Sequence, residues 1–172
     1  MPKRKIILNL CTSLEWYIEW PNGEFDWCFT DQDYGMSEFI KSIDTIFMWR
    51  KCYELFLNDI KSNFSDKKLI VFSRTLEDKN IQVINQDIVE EVEKIKNQEW
   101  KNIWLFGWAG LTISLLELKL IDEVIISIHP LLLWKWKPLF WELSDRLNLE
   151  LINSESFSSG LVQVKYWVHY EK

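Results

Sequence analysis

Short apolar runs recur along the chain with amphipathic stretches between them, and this alternation limits the possible folds more than any other feature. The runs are "KIILNLC" (5–11), "TIFM" (45–48), "KLIVFS" (68–73), "NIWLFG" (102–107) and "DEVIISIHP" (122–130), with a shorter "IQVI" at 81–84. Each is apolar throughout rather than at alternate positions, so each strand must be covered on both faces. Between them, "SEFIKSI" (37–43), "RKCYELFLNDI" (50–60), "DIVEEVEKIKNQ" (87–98) and "LTISLLELKL" (111–120) carry apolar residues at helical spacing. Ser37 is the expected cap of the first, and Asn22-Gly23 is an expected turn. Strands alternating with helices predict a parallel sheet between two helical layers. The tail "LNLELINSESFSSGLVQVKYWVHYEK" instead alternates around Ser159-Gly160 and reads as an antiparallel hairpin. The expected fold is a single α/β domain over residues 1–172, a three-layer α/β/α sandwich.

Several function classes are disfavoured at once. A net charge of −6 argues against sequence-independent nucleic-acid binding, which needs a basic surface to displace counterions. No stretch approaches the roughly 20 apolar residues of a membrane span, and "IILNL" after the basic "MPKRK" is too short for a secretory signal. Cys11, Cys28 and Cys52 show no ligand-like spacing and read as reduced thiols of a cytoplasmic protein. His129 and His169 stand apart from them in sequence, so no metal site is expected. Cys11, inside an apolar run, reads as packing.

One total is out of line. The chain has 11 Trp and only 5 Gly, whereas glycine usually runs at about 7% of residues. In "HPLLLWKWKPLF" (129–140) two tryptophans stand where an apolar run ends and a proline approaches. A turn there normally uses glycine, which reaches positive φ without steric cost.

In open parallel sheets, ligands bind at the carboxyl ends of strands, and three such ends are suggestive. In "FMWRKCYE" (47–54), Arg50 and Lys51 lie where a strand feeds a helix, an arrangement suited to phosphate. In "VFSRT" (71–75), Ser73, Arg74 and Thr75 offer a hydroxyl beside a guanidinium, a grip for a phosphate monoester. "LFGWAGL" (105–111) is a strand, a small-residue turn and a helix start, interrupted by Trp108. Singly, each has an ordinary reading as solvated surface or a tight connection; their weight lies in falling on successive strands. Glu38 and Asp33, near the first helix, are candidate proton donors.

Taken together, these segments resemble the dihydrofolate reductase superfamily, in particular the C-terminal reductase domain of the bifunctional riboflavin-biosynthesis deaminase–reductase. The resemblance runs through "SLEWYIEWPNGEFDW" (13–27), "DTIFMWRKCYE" (44–54), "KLIVFSRTL" (68–76), "WKNIWLFGWAGL" (100–111), "LIDEVIISIHPLLLWKWKPLF" (120–140) and the closing "GLVQVKYWV". Where the family pattern has glycine, this chain has Trp16, Trp20, Trp49, Trp100, Trp108, Trp134 and Trp136. Trp27 belongs to the family's own pattern, and Trp104, Trp141 and Trp167 read as strand or core residues. Restoring those seven positions would bring glycine back to the usual share of about 7%. Drift would not send seven glycines to one amino acid and spare the surrounding motifs. A single codon accounts for the pattern: UGA, glycine in the code of the source and tryptophan in the code used to translate it. Deliberate replacement is the runner-up.

The resemblance implies an NADPH-dependent reductase acting on a pterin- or ribosylaminopyrimidine-like ring. It implies phosphate contacts at Trp49, Arg50, Lys51 and Cys52, the 2′-phosphate at Ser73, Arg74 and Thr75, and the pyrophosphate at Gly107, Trp108, Ala109, Gly110 and Leu111. Nicotinamide would lie near Cys11 and Ile18, and substrate near Asn9, Trp27 and Phe39. The family's aspartate after Ser-Leu is Glu15 here, which departs from the pattern and puts folate reduction in doubt. Expected partners are a small-molecule substrate and, as an assembly to test, a second copy of the chain; neither nucleic acid nor membrane is expected. Dihydrofolate reduction, a non-catalytic nucleotide-binding paralogue and a tryptophan-rich interaction module remain open on sequence alone.

Overall fold

The computed structural model describes residues 3–18, 26–107, 109–133, 138–140 and 143–170. The Asn22-Gly23 turn and Trp20, Trp108, Trp134, Trp136 and Trp141 lie outside the described residues.

The apolar runs become the strands of one eight-stranded sheet. In chain order the elements are β1 (Ile6–Thr12), α1 (Met36–Ser42), β2 (Ile43–Trp49), α2 (Arg50–Asn63), β3 (Lys68–Phe72), β4 (Gln82–Ile84), α3 (Ile88–Lys96), β5 (Asn102–Leu105), α4 (Ala109–Glu117), β6 (Glu123–Ile128), β7 (Asn148–Ser156) and β8 (Val162–His169). The strand order is β4-β3-β2-β5-β1-β6-β8-β7. The first six are parallel to their neighbours, β8 runs antiparallel to β6, and β7 closes the hairpin at the outer edge.

Two apolar clusters explain why the central strands have no polar face. Ile6, Leu8, Phe47, Ile70 and Ile103 pack against Val92 and Ile95 of α3 and Leu111 and Leu115 of α4. On the other side Ile7, Ile46, Met48, Val71 and Trp104 meet Phe39 of α1 and Cys52, Tyr53 and Ile60 of α2. The sheet is thus the middle of three layers. Ser37 is not the cap of α1. Gly35, at φ 74, precedes the helix, and the Ser37 hydroxyl donates to Asp33 Oδ1 at 2.6 Å from inside the first turn.

The amino ends of the strands are fastened by charge. The buried Arg4 guanidinium pairs with Asp44 and donates to Thr45 Oγ1 at 2.7 Å, Lys101 O at 2.6 Å and Ile95 O at 3.3 Å. Lys96 Nζ lies 2.8 Å from Asp122 Oδ2, and the same oxygen accepts from Ile6 N–H at 2.7 Å. A buried guanidinium is tolerable only with such partners. These contacts tie the amino ends of β1, β2, β5 and β6 to one another and to α3.

Among the described tryptophans, Trp16, Trp49 and Trp100 are 39%, 41% and 72% exposed, whereas Trp27, Trp104 and Trp167 are half-buried or buried. Trp16 has φ 69, in the left-handed region that side chains other than glycine's rarely enter. Its turn is pinned by Trp16 N–H to Ser13 O at 3.0 Å and by Leu139 N–H to Trp16 O at 2.9 Å. Trp49 differs: at φ −80 its backbone suits any residue, so a glycine there would supply room, not dihedral freedom.

Candidate active site

The carboxyl ends of β3, β2, β5, β1 and β6 lie side by side, and the segments singled out in the sequence converge there. The turns from β2 into α2 and from β5 into α4 are neighbours. Phe106 N–H donates to Phe47 O at 2.8 Å, and a Cβ built on Gly107 would stand 2.7 Å from Cys52 Sγ. Gly107 has φ 125, so both its backbone and its missing side chain are needed for the two turns to meet. Gly110, in the first turn of α4, has nothing within 4 Å of where its Cβ would be.

The two helix starts share an electrostatic peculiarity. Carboxylates are favoured near helix N-termini, and α1 and α3 follow the rule with Glu38 and with Glu90 and Glu91. Neither α2 nor α4 has an acid in its first turn, and α2 has no side-chain cap. Arg50 and Lys51 stand at the start of α2 instead. Backbone N–H groups left without partners at such a start, with cations beside them, suit an anion. On the next strand the Ser73 hydroxyl accepts from Thr75 N–H at 3.1 Å and Leu76 N–H at 2.9 Å. The turn thus uses the serine as an acceptor and leaves its proton available, beside the exposed Arg74 and Thr75.

Next to these turns a cavity of about 550 Å³ opens between β1, β5, β6 and α1. One wall is aromatic. Trp104 stands edge-on to Phe39 at 5.4 Å and to Phe106 at 4.9 Å, and Phe56 meets Phe106 at 5.5 Å. Trp104 Nε1–H donates to Asn9 O at 3.1 Å, which orients the wall against β1. The opposite wall is polar. Gln163 Nε2–H bridges Ser127 Oγ at 3.0 Å and Tyr34 O at 3.3 Å. His129 accepts from Phe29 N–H at Nε2, 3.0 Å away, and its Nδ1 lies 3.1 Å from Ser127 O. Burial pushes this imidazole below its ordinary pKa. Trp27 packs edge-on against it at 5.2 Å, with a buried Nε1–H that has no hydrogen-bond partner.

The sequence candidates divide accordingly. Asn9, Cys11, Ile18, Asp33, Phe39 and Gly107 line the cavity, and Trp27 lies behind His129. Arg50, Lys51, Ser73, Arg74 and Thr75 lie along the strand ends outside it, and Leu111 is buried in the core. Glu38 is exposed and does not line the cavity. Asp33 does, but its oxygens receive the Ser37 N–H and hydroxyl, a capping task. Glu15 is a loop clasp. Burial would raise its carboxyl, but the Leu133 N–H at 3.0 Å and the Ser13 hydroxyl outweigh this and hold it below the usual range.

Sequence reading missed Trp104, Phe106, His129, Gln163 and Cys28 as site residues. An apolar strand end gives no sign that its last aromatic faces a cavity. Cys28 and His129 meet Cys11 only through the fold: the three ligand atoms lie within 4.8 Å of one another. Contact with Cys28 lowers the Cys11 thiol and raises that of Cys28.

Comparisons with known proteins bear on the family and the fold. The family described as the RibD C-terminal domain matches residues 4–163. The uncharacterized protein YyaP of Bacillus subtilis (strain 168) is 41% identical over 180 residues, covering 96% of each chain. YwjB of the same organism, also uncharacterized, is 30% identical over 172 residues, covering 95% of this chain and 98% of its own. A Shewanella sp. PV-4 protein assigned to riboflavin biosynthesis superposes with a TM-score of 0.84 at 25% identity, covering 96% of this chain and 99% of that one. The diaminohydroxyphosphoribosylaminopyrimidine deaminase/5-amino-6-(5-phosphoribosylamino)uracil reductase of Thermotoga maritima shares the fold, with a TM-score of 0.71 at 13% identity. This chain spans 56% of it.

Proposed function

The chain belongs to the RibD C-terminal domain family, and from that premise we propose that it is an NADPH-dependent reductase of a pterin- or ribosylaminopyrimidine-like compound. The observation that carries the reading is the pair of adjoining helix starts without acids, set between a hydroxyl–guanidinium pair and an aromatic cavity. The residues present fit the cofactor. The N-termini of α2 and α4, with Arg50, Lys51 and the open Gly110, would take the pyrophosphate. The Ser73 proton and Arg74 would take the 2′-phosphate, the group that separates NADPH from NADH.

When bound, NADPH supplies a hydride; the chain supplies position. Phe106, half-buried at the cavity and backed by the buried Trp104, offers the aromatic surface against which a flat ring packs. Gln163, Ser127 and Asn9 offer donors and acceptors around its rim. Holding two rings face to face turns a bimolecular step into a local one. Trp49, 41% exposed at the mouth of the β2–α2 turn, stands in the way of a dinucleotide approaching the main chain.

The test compares the chain as written with a version carrying glycine at 16, 20, 49, 100, 108, 134 and 136. The glycine version should bind NADPH more tightly than NADH and oxidise it with a ribosylaminopyrimidine or a dihydropterin. Replacing only Trp49 and Trp108 by glycine should restore most of the binding. Equal affinity for the two dinucleotides in the glycine version would overturn the reading.

A further inference from the structure

We propose that Cys11, Cys28 and His129 form a binding site for a thiophilic divalent cation, zinc above all, in the wall of the cavity. Three segments distant in sequence bring the ligands together: the end of β1, the loop ahead of α1, and the residue after β6. Their donor atoms lie within 4.8 Å of one another. Zinc–sulfur bonds of about 2.3 Å and zinc–nitrogen bonds of about 2.0–2.1 Å put tetrahedral ligands roughly 3.6–3.8 Å apart. A contraction of about 1 Å would therefore close the site, within reach of small side-chain rotations. Two thiolates and an imidazole are also the donors that zinc prefers over harder cations.

The surroundings are arranged for a ligand histidine. His129 is buried, and its Nδ1–H can donate to Ser127 O at 3.1 Å, the second contact that metal-bound imidazoles usually have. That bond fixes the tautomer and leaves the lone pair on Nε2, where Phe29 N–H now donates. Phe29 follows Cys28 directly, so the segment that gives up this hydrogen bond also carries the second sulfur. Binding releases two protons: the cation and two thiols give a neutral dithiolate–imidazole complex. Charge neutrality suits half-buried cysteines, since uncompensated thiolates there would be costly. Three protein ligands leave the fourth position facing the cavity, as in zinc sites that take up water or a solute. The site stands on these ligands alone and does not depend on the reductase reading.

The reduced, metal-free chain is titrated with Co²⁺ under nitrogen, and Zn²⁺ is then added. The expected result is one ion per chain, with thiolate-to-cobalt charge-transfer absorption and the intense visible bands of tetrahedral Co²⁺, both abolished by one equivalent of Zn²⁺. Cys11→Ser and Cys28→Ser should each weaken binding by about 100-fold or more, and His129→Gln should remove the tetrahedral bands. His169→Gln, on the exposed edge beside Glu150, should change nothing. Circular dichroism separates loss of ligand from loss of fold. Weak octahedral bands without charge transfer, or a spectrum surviving Cys28→Ser, would overturn the proposal. So would a Cys11–Cys28 disulfide that persists under reductant and excludes the ion.

Discussion

Position 16 gives the sharpest test of whether glycine belongs in this chain. Trp16 has φ 69, and both of its backbone polar groups are tied down, so the turn cannot relax into an ordinary conformation. A residue with a Cβ in the left-handed region costs roughly 1–2 kcal/mol relative to glycine. Glycine in turn gives the unfolded chain more freedom, worth roughly 0.4–1 kcal/mol against it. Comparing Trp16→Gly with Trp16→Ala isolates the difference. Both lose the indole and its contact with Phe140, at 6.3 Å between ring centroids, so that loss cancels. The glycine variant should be the more stable by about 0.5–1 kcal/mol. For a chain of this length that is about 1–4 °C in Tm. Trp100, exposed and outside the left-handed region, supplies the control. There the order reverses, and alanine should exceed glycine by about 0.4–1 kcal/mol. Urea denaturation of the four variants, with m unchanged, reads both differences. Alanine matching or exceeding glycine at position 16 would refute the reasoning.

Other consequences can be measured directly. Gly107→Ala forces a Cβ to 2.7 Å from Cys52 Sγ at φ 125, and should cost about 2–4 kcal/mol in denaturant titration. Cys52→Ala in the same background should recover only the steric share. In the glycine version, Arg74→Ala should raise the dissociation constant for NADPH about 10- to 100-fold and leave that for NADH nearly unchanged, as isothermal titration would show. Glu15 is held below its ordinary value of 4.5 in the folded chain, so the stability it contributes is present above that value and lost as pH falls through the folded one. Glu15→Gln should therefore flatten the acid limb of the stability profile, measured by thermal melts from neutral pH downwards. Peptides of the native protein spanning position 108 should have the mass of glycine there, and tryptophan mass would sink the codon explanation.

The sheet was legible because burial on both faces leaves unbroken apolar runs, as in "KLIVFS" and "NIWLFG", and the hairpin because apolar and polar residues alternate around Ser159-Gly160, although β7 itself is exposed along its whole length. The helix start at Arg50 was legible as a strand-to-helix turn, the one expected at Leu111 falls two residues earlier at Ala109, and their adjacency followed once β2 and β5 paired. Local pattern failed where partners are distant. Ser37 has a capping side chain, yet Gly35 sets the boundary and Asp33 takes the hydroxyl. Cys11 in an apolar strand resembles inert packing until the segment carrying Cys28 folds over it. His129 before a proline resembles a strand end until Phe29 N–H reaches its ring.

The Arg4 clamp has a consequence for how such a protein can change over generations. Its guanidinium gathers main-chain and side-chain oxygens from β2, α3 and the approach to β5, at the amino ends of the strands. Strand register is thereby decided at one rim, and the other rim is relieved of that duty. Replacements around the cavity can retune the accepted molecule without loosening the scaffold, while Arg4 itself is the residue such diversification must leave alone.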